Sequence, residues 1–183
     1  MKSIFLIILI LYSQHTGIAQ TNDQRDKSVT NSSQTELRIG KSFGGGIIFY
    51  IDTTGMHGLV VAKTDLPQKA PYGCIEYEIH AVSQSDGTIN TAIITKNCGD
   101  KAAAFQCSHL NIAGYKDWYL PSIDELALLF KAMLQPNLLS MGIYWSSTEY
   151  KWSKSCALDF IKGGRRITMQ KDQEAYVRAI RKF

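Results

Sequence analysis

Gly114-Tyr115-Lys116-Asp117-Trp118-Tyr119-Leu120-Pro121-Ser122-Ile123-Asp124-Glu125-Leu126 is the stretch from which the rest of the chain is read. Ser122 followed three residues later by Glu125 is a capping box, in which each side chain satisfies an orphan N–H of a helix start. Asp124 and Glu125 also stand at the positive end of the helix dipole. Leu126, Leu129, Phe130 and Met133 then recur at three- and four-residue spacing. That pattern predicts an amphipathic helix over 123–134 packed on a core, with Gln135-Pro136-Asn137 as its stop.

Downstream the pattern turns to strands. Residues 144–148, 156–162, 165–170 and 175–182 are rich in β-branched and aromatic side chains, and Gly163-Gly164 reads as a two-residue hairpin turn. Upstream, Gly44-Gly45-Gly46 leads into a run at 47–52, separated by a glycine-containing loop from a second run at 59–63, which predicts another hairpin. Residues 64–90 are polar and read as irregular loop. A short helix over 91–97 and a second over 100–109, capped by Asp100, complete the middle. Hairpin, helices, then a meander is the order of an α+β fold with an antiparallel sheet.

The 183 residues suit one ordinary domain. Hydrophobic residues make up 45% and charged residues 20%, enough for a packed core and too apolar for wholesale disorder. Lys2, an apolar run from Ile4 to Tyr12 and small residues at Gly17 and Ala19 read as a cleaved secretory signal over 1–19. Residues 20–36 are polar and read as a flexible leader, so the domain is expected over 37–183. No later stretch is long and apolar enough to span a membrane. The expected location is secreted: periplasm, cell surface or exterior.

Export gives weight to Cys74, Cys98, Cys107 and Cys156, an even count that suggests two disulfides with three connectivities. A helix over 100–109 disfavours Cys98–Cys107, because it holds the two beyond bridging distance. Buried free thiols are the alternative.

Chemistry-bearing motifs are scarce. There is no GxSxG elbow, no P-loop and no CxxC pair for zinc. The triple glycine opens a strand, whereas phosphate cradles open helices. His57, His80 and His109 lack partners at ligand spacing. The carboxylates Asp124/Glu125 serve the helix cap, and nothing places Glu76/Glu78 across a cleft as glycoside hydrolysis requires. The expectation is no catalytic residue, no metal and no cofactor.

Charge is more informative. Residues 150–183 hold nine basic and three acidic residues, against eleven and thirteen elsewhere. An anion-binding surface centred on Lys162, Arg165, Arg166 and Lys171 is expected, with Trp152 as a platform for a sugar ring. Strand alternation sets Arg165 and Arg166 on opposite faces. Arg178 is expected either on this surface or paired with a carboxylate inside the domain. Aromatics are not interleaved with basic residues as in single-strand nucleic-acid binders, so no nucleic-acid partner is expected.

Four blocks together resemble the C-terminal domain of collagen-like bacterial adhesins. They are the opening stretch; Tyr144-Trp145-Ser146-Ser147-Thr148-Glu149; Val177-Arg178-Ala179-Ile180-Arg181; and Gly45-Gly46-Ile47-Ile48-Phe49-Tyr50 with Gly55, His57, Gly58 and Leu59. The resemblance implies a C-type-lectin-like fold, with an antiparallel sheet, two main helices and irregular loops, related to formylglycine-generating proteins. It also implies a surface domain that binds sulfated glycosaminoglycans. The chain has no Gly-X-Y collagen stalk, which leaves trimerisation open. Gln135-Pro136-Asn137 is not matched by a later Trp-Asn-Asp, so a lectin calcium site is not expected. Cys156 alone cannot supply the cysteine pair of formylglycine chemistry. The expected function is a non-enzymatic, secreted module binding an extracellular glycan or other anionic polymer. The alternatives are an envelope module for protein–protein contacts and an unrecognised hydrolase.

Overall fold

A computed structural model describes residues 36–132 and 140–183. The signal, the leader up to residue 35, the Met133 end of the third helix and the Gln135-Pro136-Asn137 stop lie outside the described residues.

The chain runs β1 (Ser42–Phe43), β2 (Gly46–Ile51), β3 (Gly58–Val61), β4 (Ala70–Pro71), α1 (Gly87–Asn97), α2 (Ala103–Ser108), α3 (Ile123–Ala132), β5 (Ile143–Lys151), β6 (Lys154–Asp159), β7 (Arg165–Gln170), β8 (Glu174–Ala175) and β9 (Ile180–Lys182). Among the described residues three antiparallel sheets form, in the orders β1-β2-β3-β9, β4-β8 and β5-β6-β7. The architecture is α+β, as the order of sequence patterns requires.

Two apolar layers share the β5-β6-β7 sheet, because alternate side chains leave opposite faces. Trp145 and Ala157 enter one layer with Tyr72, Ile94 and Trp118. Tyr144 and Leu158 enter the other, beneath Ile123, Leu126 and Leu129 of α3. The capping box of α3 is present: Glu125 N–H donates to Ser122 Oγ at 3.4 Å, and Ser122 N–H to Glu125 Oε2 at 2.8 Å.

Four sequence expectations are corrected. α1 begins at Gly87, because Asp86 accepts from Thr88 N–H and caps it earlier than the apolar pattern suggests. Ala102, not Asp100, precedes α2. The closing strand is broken into β8 and β9, since Tyr176 to Ala179 spend backbone groups on β5 and on Leu66 and Ala62. The Gly163-Gly164 turn is longer than two residues, because pairing stops at Asp159↔Arg165. Both its glycines have positive φ, and a side chain on Gly164 would strike the Phe130 ring.

One disulfide forms, Cys74–Cys98, joining the loop after β4 to the end of α1. Cys107 and Cys156 are free. They cannot pair because Cys107 is buried in the first layer and Cys156 packs on the second.

Candidate functional site

The expected anion surface divides. Lys162 and Arg165 are exposed at the β6–β7 turn, and Lys162 Nζ reaches Asp159 only at 4.0 Å. Arg166 leaves the other face of β7 and pairs with Asp124 at the start of α3, at 2.5 Å. Trp152 is 57% exposed, but it caps the β5–β6 hairpin at the opposite end of β6. Six residues of strand separate the two ends, or roughly 17 Å. Trp152 therefore does not join the turn.

Lys171 is the clear correction: its side chain is fully buried. Its Nζ donates to Glu149 Oε1 at 2.5 Å and to the carbonyls of Tyr77 and Cys74 at 2.8 and 3.3 Å. Glu149 in turn accepts from the backbone N–H groups of Ile79 and His80. A buried ion needs its remaining hydrogen-bond sites filled, and here loop backbone fills them. The pair thus fixes loop 74–80, which contains two non-glycine residues with positive φ, Cys74 and His80.

Arg166 does stand in a cleft, of about 580 Å³, between β6-β7, the start of α3 and the loop before α1. Tyr150, more than half exposed, supplies an aromatic wall; Gln84 and Thr168 add an amide and a hydroxyl; Ile123 and Cys156 add apolar surface. Burial pushes the Cys156 thiol up, with Arg166 acting weakly the other way, so it is a poor nucleophile. Among the described residues no group of three or more His, Cys, Asp and Glu is arranged to hold a metal. No described helix is long and apolar enough to cross a membrane.

The other recurrent residues of the sequence blocks serve the scaffold. Arg181 makes a two-pronged contact with Asp117, 2.8 Å on each prong, and lies over the Tyr115 ring. That contact holds the Asp117 carboxyl below its usual range, against a smaller upward effect of burial. Arg178 pairs with Asp65 inside the domain, and Asp65 also accepts from Tyr144 Oη. Glu125 accepts from Gly87 N–H and Tyr119 Oη besides its cap. Burial first, and the Glu125 carboxylate second, push the Tyr119 phenol far above its ordinary value. Trp145 Nε1 donates to Ala70 O, and Thr148 Oγ1 accepts from Ile123 N–H.

Residues 77–181, more than half of the chain, match the family described as Lcl C-terminal domain. The chain belongs to that family. No curated protein matches it. The Lcl C-terminal domain match takes in α1 to α3, both halves of the Glu149–Lys171 pair and the Arg166 cleft, while β1 to β4 precede it. A cell-surface setting suits an Lcl C-terminal domain, and the intramolecular disulfide fits an oxidising compartment.

Sequence reasoning missed Tyr150, Gln84 and Thr168. Tyr150 had a signal, an aromatic side chain set between Glu149 and Lys151 at the end of β5, where it carries a large ring into solvent. Gln84 had none, because irregular loop carries no periodicity.

Proposed function

We propose that this protein is a secreted, non-enzymatic binding module of C-type-lectin-like fold, taking extracellular glycans or other anionic polymers at the Arg166 cleft and the neighbouring turn. The observation that carries the reading is the cleft itself. It joins a cation, an amide and a hydroxyl to an exposed tyrosine ring, the mixture that grips a sugar by its polar edge and its C–H face. Exposed Lys162 and Arg165 on the adjoining turn extend the positive charge. The resemblance to adhesin domains that bind sulfated glycosaminoglycans supports the same ligand class.

A heparin-type column tests it. Wild type should elute at higher salt than the Lys162/Arg165/Arg166→Ala variant, because exposed charges are screened within about 8 Å at 0.15 M salt. Equal elution of two folded proteins would overturn the reading. One observation favours a second reading, a protein-contact module: Ile75 and Tyr77 on the loop that Lys171 and Glu149 hold, and Val82 just after it, are each at least half exposed. Co-purification of a partner from envelope extracts, lost in Tyr77→Ser/Val82→Ser, would favour it.

A further inference from the structure

We propose that a second cleft, beside α1, binds an acidic sugar unit, a pyranose carrying one carboxylate or sulfate; this goes beyond the Arg166 cleft but rests on the reading of the protein as a glycan binder. The cleft measures about 500 Å³, within the range of small-ligand sites, and lies between α1 and the segment before α3. A helix that packs on a domain usually turns an apolar stripe inward. Here the stripe lining the cleft is Thr88, Thr91 and Thr95, at one-turn and two-turn spacing, and Ser108 of α2 adds a fourth hydroxyl.

That wall is rigid and only partly used. Thr91 Oγ1 is locked to Leu120, accepting from its N–H at 3.1 Å and donating to its carbonyl at 3.3 Å. The Thr95 and Ser108 hydroxyls meet at 3.4 Å, Ser108 Oγ also donates to the Phe105 carbonyl at 2.8 Å and meets His109 Nδ1 at 3.1 Å, and Thr88 Oγ1 donates to the Asp86 carboxylate. A hydroxyl offers one donor and two acceptor sites; with the Thr88, Thr91 and Ser108 donors spent on Asp86, Leu120 and Phe105, what remains is acceptor capacity for the hydroxyls of a polyhydroxylated ligand.

Charge then selects the ligand's sign. Lys96 and Lys116 line the same cleft, are exposed, and have no ion pair or hydrogen bond among the described residues. The one carboxylate there, Asp117, has both oxygens engaged by Arg181 and does not neutralise them. Two unpaired ammonium groups beside a row of hydroxyls match a ligand with an anionic group and several hydroxyls. A bare anion would leave the threonine stripe unused, and a neutral sugar would leave the lysines unused.

The test is NMR titration of the labelled protein with glucuronate and with a sulfated glucose, using glucose and inorganic sulfate as controls. Both acidic sugars should shift the Thr88, Thr95 and Ser108 amides and the Trp118 indole N–H. Lys96→Ala/Lys116→Ala, exposed changes that leave the fold intact, should weaken binding tenfold or more. Binding of inorganic sulfate or glucose as tight as that of the acidic sugars would overturn the inference, as would unchanged affinity in the double variant. Shifts confined to the Arg166 cleft would overturn it while leaving the proposed function standing. No shift anywhere, together with no retention on the polysaccharide column, would remove both.

Discussion

Ser122 is fully buried, and its hydroxyl accepts the N–H of Glu125 in the first turn of α3. Ser122→Ala should cost about 1 kcal/mol, read as a lower urea midpoint at unchanged slope. An unchanged midpoint would mean that the Glu125 carboxylate carries the cap alone. A second residue sets the response to acid. The Asp117 carboxyl is held low in the folded protein by Arg181. Its stabilisation is therefore complete above the ordinary carboxylate value of about 4 and is lost as pH falls through the lower folded value. Asp117→Asn should flatten the loss of thermal stability below about pH 4, and added salt should shrink the difference, because the Asp117 side chain is 57% exposed. The cap was legible in the sequence because both partners lie within one helical turn. The Asp117–Arg181 pair was not, since 64 residues separate its members.

At the scale of elements, the informative pair is β7 with loop 74–80. Along β7 the period of two places Arg165, Ile167 and Met169 on one face, and Ile167 and Met169 pack on the first apolar layer. Lys171 continues that face, so alternation alone points it inward. Counting it as a surface cation gave net charge precedence over periodicity. What the sequence lacks is the reason burial is tolerable: the partner Glu149 lies 22 residues back, and the accepting carbonyls 94 and 97 residues back. Lys171→Met alone should cost about 3–5 kcal/mol, because it strands a buried carboxylate. Adding Glu149→Gln should recover part of that loss. Hydrogen exchange at the Ile79 and His80 amides should accelerate in both variants, and unaltered protection would remove Glu149 as the anchor of the loop.

Over the whole molecule, helices, hairpins and their order were readable because each depends on local period and turn chemistry. The clefts were not, because each is walled by segments remote in sequence, such as Gln84 with Thr168. The disulfide count likewise depends on which layer each thiol enters. Reducing Cys74–Cys98 should cost about 2–5 kcal/mol and lower the melting temperature. The unreduced, denatured protein should titrate two thiols, and finding none would require a Cys107–Cys156 bridge and a different packing of the two layers. The ties from Arg178 to Asp65 and from Arg181 to Asp117 bear on how the molecule is made. Residues 178–182 join partners up to 113 positions earlier. A ribosome delivers Asp65 and Asp117 long before either guanidinium exists to meet them. These long-range ties therefore close only after residues 178–182 have been made, so the last contacts of the native fold are also among its most distant in sequence.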